Sequence, residues 1–218
     1  MTLTQKIIMP VQRLDLALRD LKSQGLRPAF LPEIAAERVR SYKAGILEPW
    51  HQYLDSGSLR AFRTLKSGYP LVAISHKPNY ITKNPGILTE AIERGTLVDR
   101  ALEIPDSEFE RLVSKAGTTT IDYSKKRRHP LNGIVEISQA LDDKEAIASF
   151  GDYKRAKAYF DAFREIYGRN NVGIWLRITE HNKPLGRLLC LGSNNSLDGS
   201  NYLDISARFV GVRSAREK

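Results

Sequence analysis

Four adjacent cations, Lys125-Lys126-Arg127-Arg128, constrain this chain more than any other stretch. Like charges at neighbouring positions repel, and none enters a core without a partner, so the four must lie on the surface at a turn. Strand-like residues stand on both sides, Thr118 to Tyr123 before and Leu131 to Ile137 after, with His129 and Pro130 in the link. The pattern predicts a β-hairpin with a basic tip. With Tyr123 opposite Leu131, one face carries Ile121, Tyr123, Leu131, Val135 and Ile137. The other carries Thr118, Thr120, Asp122, Asn132, Ile134 and Glu136. That alternation suits a half-buried antiparallel pair.

The charge balance points to an anionic partner. The chain carries +9, spread as +5 over residues 1–68, −1 over 69–150 and +5 over 151–218. The middle third is therefore near neutral, with its cations gathered in one loop. A bias serving solubility alone has no reason to cluster in that way. A surplus of this size favours polyanions, and DNA or RNA is the expected partner. Lys125, Lys126, Arg127 and Arg128 would meet phosphates. His129 would add charge when protonated, and Tyr123 would stack on a base or pack below the tip.

An apolar content of 41% excludes global disorder. The lone cysteine, Cys190, lies in Arg187-Leu188-Leu189-Cys190-Leu191 and cannot form an internal disulfide, so it is expected as a small buried core residue in a reducing compartment. The first ten residues lack the pattern of a secretory signal. No window approaches about 18 uninterrupted apolar residues. The expectation is a soluble, cytoplasmic protein with no membrane partner.

Residues 1–68 read as a helical segment. Val11, Leu14, Leu18 and Leu21 recur at helical spacing over 10–24 and stop at Gly25. A second helix opens near Pro32, and Glu48-Pro49-Trp50-His51 begins a short third piece. A fourth helix follows Ser56 or Ser58, with Leu59, Phe62 and Leu65 on one side and Arg60, Arg63 and Lys66 on another. The second and fourth helices would make a helix-turn-helix-like pair with Arg60 and Arg63 along a recognition edge. Residues 69–218 read as an α+β domain: a strand at 69–75, a loop with His76, Lys77, Tyr80 and Lys83, helices at 86–95 and 106–116, the hairpin, and a strand at 144–150. A long amphipathic helix follows at 152–167, then strands near 172–178 and 187–191, and a last strand within 202–212. Lys77 and Lys83 join the list of expected nucleic-acid contacts. The fold class is α+β, a helical amino-terminal segment followed by a mixed, largely antiparallel sheet with one long amphipathic helix.

No motif fixes a catalytic activity. Helix 106–116, three strands, helix 152–167 and strand 172–178 give an αβββαβ order, the fold pattern of many metal-dependent nucleases. Asp122 and Glu136 are the carboxylates such a site would need, with Mg or Mn between them. Ser138 stands where a charge-stabilising lysine is expected. In the hairpin register above, the two carboxylates lie roughly 13 Å apart. His51, His76, His129, His181 and Cys190 show no metal-ligand spacing. No other cofactor is implied. The preferred reading is a nucleic-acid-binding protein, then a nuclease, then a subunit that docks on an acidic protein.

Overall fold

The computed structural model describes residues 6–194, 196–199 and 202–213. From the amino end come β1 (Lys6–Ile8), β2 (Gln12–Arg13), α1 (Leu14–Ser23), β3 (Leu26–Pro28) and α2 (Leu31–Lys43). Leu14, Ala17, Leu18 and Leu21 form the buried stripe of α1, and Gly25, at φ +66°, lets the chain turn out of it. In α2, Pro32 occupies the first turn, and Glu33 reaches back to accept from the Phe30 N–H at 2.7 Å. A 3-10 turn over Glu48–His51 then leads into β4 (Leu54–Thr64).

That strand replaces the expected fourth helix, and with it the helix-turn-helix. Its apolar residues divide between two faces: Leu54 and Phe62 enter one core, Leu59 and Ala61 the other. A strand buried on both sides has no polar face to reveal its period of two. The i, i+3 spacing of Leu59, Phe62 and Leu65 was the accident that resembled a helix.

Next are β5 (Pro70–Ser75), α3 (Tyr80–Lys83), α4 (Pro85–Glu93), β6 (Leu102–Glu103), α5 (Asp106–Ser114), β7 (Thr118–Asp122), β8 (Asn132–Glu136), α6 (Ile137–Asp142), α7 (Lys144–Ser149) and α8 (Tyr153–Tyr167). The sequence placed α8 correctly. Asp152 accepts from the Arg155 N–H at 2.9 Å, and Gly168 ends the helix at φ +63°. The strand expected at 144–150 is helix α7, started by Asp143, whose side chain accepts from the N–H groups of Glu145 and Ala146. The chain finishes with β9 (Asn171–Trp175), β10 (Leu185–Leu191), β11 (Leu197–Asp198), β12 (Ser206–Ala207) and β13 (Val210–Arg213).

The main sheet has the order β7-β5-β4-β10-β11-β9-β8, with β6 also beside β10. Its pairs are antiparallel except β11 with β9. The class is thus the expected α+β. The hairpin is not formed: β7 pairs with β5 and β8 with β9, so the two strands flanking the basic segment lie at opposite edges of the sheet. The αβββαβ order falls with it. Helices α2, α6, α7 and α8 cover one face of the sheet around Trp50, Phe150, Tyr159 and Phe160. Helices α1, α4 and α5 cover the other around Leu14, Leu88 and Phe109. β4 pairs with both β5 and β10, so the sheet crosses residue 68 without a break. A small sheet, β1-β13-β3, joins the two ends of the described chain, and β2 pairs with β12.

A half-buried histidine ties β4 to α7. The Ala148 carbonyl can only accept, so His76 Nε2 carries the proton and donates at 2.8 Å. His76 Nδ1 then accepts from Ser58 Oγ at 2.8 Å, and Ser58 Oγ accepts from the Leu31 N–H at 2.8 Å. Burial holds the His76 pKa below the usual histidine value. The unfolded chain therefore takes up this proton first as pH falls. The contribution of His76 to stability is complete above the unfolded value of about 6.5 and is lost on acidification toward the lower folded value. Urea denaturation of wild type between pH 8 and pH 5 is expected to show this loss, and His76→Gln to show a shallower slope over the same interval.

Candidate functional site

Three segments meet at one end of the sheet: residues 94–101, residues 176–184, and the described residues on either side of β11, 192–196 without 195, 199, and 202–205. Two arginines inside the fold hold them. Arg60, on β4, is fully buried and donates from Nε to Glu145 Oε1 at 2.5 Å. Its other nitrogens donate to three main-chain carbonyls, Leu176 at 2.8 Å, Arg177 at 3.1 Å and Gly199 at 3.4 Å. Tyr123 donates to the second oxygen of Glu145 at 2.6 Å. Burial, followed by the nearby Glu145 charge, pushes the Tyr123 hydroxyl pKa up, so it remains a donor. Arg187 stands directly opposite Arg60 on β10. It donates to the Asp99 carbonyl at 2.7 Å and to Asp99 Oδ2 at 2.9 Å.

Asp99 is also the acceptor of a short hydrogen bond from the Thr179 hydroxyl. That bond, with help from Arg187, keeps the Asp99 carboxyl below its usual pKa. Asp99 and Arg100 both have left-handed backbones, at φ +47° and +60°, a conformation that non-glycine residues hold only when their surroundings impose it. Here the Arg187 grip and the Leu203 N–H, which donates to the Arg100 carbonyl at 3.0 Å, impose it. The Gly199 N–H donates to the Trp175 carbonyl at 2.8 Å. A side chain at Gly199 would meet Arg60 Cδ at 2.7 Å, so the chain passes directly over the guanidinium stem.

The surface so formed is polar with aromatic anchors. Arg100 lies 4.4 Å from the centre of the Tyr202 ring, and its Nε is 3.6 Å from Asp204. Tyr202 is 40% exposed. Ser193, Asn194, Arg177 and Glu180 are also exposed, and Asn194 accepts from Ser196 Oγ at 2.9 Å.

A solved structure described as the accommodation of massive sequence variation in Nanoarchaeota by the C-type lectin fold is 31% identical to this chain. The match has a TM-score of 0.78 and covers 96% of this chain and 97% of that one. The chain belongs to the C-type lectin fold family. No protein-family model and no curated protein matches it.

Membership of the C-type lectin fold family overturns the nucleic-acid and nuclease readings, and the positions of the residues proposed for them show why. Arg60 is the internal grip just described, and Tyr123 is buried beneath it. Arg63 is held by Asp106 at 3.2 Å and Glu110 at 2.7 Å over the Phe109 ring. Arg128 pairs with Asp143 at 2.9 Å. His129 packs its ring on Tyr69, and Lys77 donates to the Ala116 carbonyl at 3.2 Å. Lys125 and Lys83 are exposed, Arg127 takes a left-handed turn at φ +49°, and the side chain of Lys126 lies outside the described part of the structure. Arg60 is thus unavailable to a phosphate, and Arg63, Lys77 and Arg128 already have partners within the fold.

Asp122 and Glu136 end the two opposite edge strands, farther apart in the sheet than any hairpin would allow. Asp122 accepts from Ser124, and Glu136 caps α6 and accepts from Ser138. Among the described residues no three His, Cys, Asp or Glu converge as a metal site. Among the same residues no helix is long and apolar enough to cross a membrane. Cys190 is buried as expected, with burial raising its thiol well above the usual pKa.

Sequence reasoning missed Arg187 and misplaced Arg60. The available signal was an arginine inside an otherwise apolar run, Leu59-Arg60-Ala61-Phe62 and Leu185-Gly186-Arg187-Leu188-Leu189. A guanidinium in such a run needs a buried acceptor, which makes it a structural pin before it is a surface contact.

Proposed function

We propose that this protein binds a protein ligand through the platform of loops 94–101 and 176–184 with Ser193, Asn194 and Tyr202 beside them. One observation carries the reading: Arg60 and Arg187 grip the loops largely by their main-chain carbonyls, of Asp99, Leu176, Arg177 and Gly199. Every residue type supplies a carbonyl. The path of the loops is therefore set from beneath, while most outward side chains are left to recognition. The related solved structure is described as accommodating massive sequence variation on this fold, and in this chain a main-chain grip leaves room for such variation. Gly192-Ser193-Asn194-Asn195-Ser196 and Gly199-Ser200-Asn201-Tyr202 have the serine, asparagine, glycine and tyrosine composition of adaptable protein-binding loops.

Two measurements test the proposal. Simultaneous replacement of Arg177, Glu180 and Ser193 by alanine is expected to change unfolding free energy by no more than about 0.5 kcal/mol per site. A photo-cross-linking amino acid at position 202 is expected to capture a protein from an extract of the source cells. The same group at Thr119, on β7, is expected to capture none. Equal capture from both positions, or a glycan array signal that depends on Tyr202 in place of a protein adduct, would overturn the proposal.

A further inference from the structure

Among the described residues no strand pairs with the outer edge of β8, the last strand of the main sheet. The Leu176 N–H donates to the Leu131 carbonyl and the Ile137 N–H to the Asn170 carbonyl, in register with the β8–β9 ladder. Bonding residues alternate along an antiparallel pair, so 131, 133, 135 and 137 face β9, and the backbone groups of Asn132 and Ile134 point away from the sheet. The Glu136 N–H is already taken by Gln139 Oε1. Natural edge strands are usually blunted by charged side chains, above all lysine, by proline or by a bulge. Asn132–Glu136 has no lysine and no proline, its one charge is Glu136 at the α6 end, and its register with β9 runs without a shift. At its centre Ile134 is 74% exposed, the most exposed large apolar side chain among the described residues. The opposite edge differs: β7 offers Thr118, Thr119 and Thr120 and no exposed large apolar side chain.

We propose that β8 pairs antiparallel with β8 of a second copy of this chain, about a two-fold axis at Ile134. Self-complementarity selects this occupant and this register. Ile134 meets Ile134 of the second copy, and the two exchange N–H···O bonds. Asn132 meets Glu136 of the second copy, so an amide donor faces a carboxylate twice. Gly133 meets Val135 of the second copy without crowding. No like charges stand opposite each other. Moving the axis to Gly133 would put Glu136 opposite Pro130, which has no N–H, and moving it to Val135 would drive Asn132 into helix α6. The axis is normal to the sheet, so the two copies present the same sheet face on the same side. Five residues bury far less than the ~1,200 Å² of a stable interface, so the dimer is weak and concentration-dependent.

The test uses the whole protein. In sedimentation velocity at rising concentration, the mass is expected to move from 24.6 kDa toward twice that value, and Ile134→Glu to stay monomeric. Ile134 is exposed, so the variant should keep the wild-type unfolding midpoint. Cysteine cross-linking reads the register directly, because the native Cys190 is buried and gives no background. With a short bis-maleimide linker Ile134→Cys is expected to form a covalent dimer, since Cα atoms of a hydrogen-bonded pair lie about 5.5 Å apart. Asn132→Cys alone is expected to form none, and the Asn132→Cys/Glu136→Cys double variant to form one. A wild type that remains monomeric at its solubility limit overturns the proposal. So does cross-linking of Ile134→Cys no faster than that of Asn132→Cys or of Thr119→Cys on β7.

Discussion

Replacing Arg60 with alanine is expected to lower the unfolding free energy by about 3–5 kcal/mol, read as a shift of the urea midpoint. The loss has two sources. Glu145 would be left as a buried carboxylate with Tyr123 as its remaining side-chain donor, and the carbonyls of Leu176, Arg177 and Gly199 would lose theirs. Arg60→Lys should recover little of it, because one ammonium cannot span a carboxylate and three carbonyls in different directions. The Arg60→Leu/Glu145→Leu pair removes the stranded charge and should be less destabilised than Arg60→Ala, while still releasing the loops. Hydrogen exchange of residues 176–184 would then rise ahead of that of β4. A loss below about 1 kcal/mol for Arg60→Ala would place the pair with solvent-exposed ion pairs and remove the grip.

Trp50→Ala is expected to be of similar size, about 3–5 kcal/mol, for a different reason. Trp50 is fully buried on the 3-10 turn and stacks on Tyr159 with ring centres 5.0 Å apart and planes at 20°. Its indole N–H donates to the Arg38 carbonyl at 2.7 Å. Truncation opens a cavity between α2 and α8 and takes that donor from a buried acceptor. Trp50→Phe keeps the ring contact and should lose less. Trp175 remains as the fluorescent reporter in both variants. A Trp50→Ala midpoint close to wild type would mean that the α2–α8 contact does not hold the fold.

These two residues mark what could and could not be read from the chain. α1, α2 and α8 were legible because each has a helical stripe with a glycine just beyond its last turn, at Gly25, Gly45 and Gly168. Cys190 was legible because an apolar run surrounds it. β4 was not, because two buried faces erase the period of two. The hairpin was not, because sequence neighbours on either side of Lys125 to Arg128 pair with strands far away in the chain. Arg60, Arg63, Lys77 and Arg128 were misjudged by one common error: a cation was counted as available charge before its acceptor had been sought. The loop platform was visible only as composition, since the arginines that organise it come from β4 and β10, more than a hundred residues apart.

The pairing of β1 with β13 has a kinetic meaning. Ile8 sits opposite Val210, so this contact closes almost the entire chain into a ring, at an entropic cost on the order of 5 kcal/mol when nothing in between is ordered. A chain leaving the ribosome therefore holds β1 without this partner until β13 has been synthesised. Throughout that interval the apolar surface that β13 will cover must be shielded by other means.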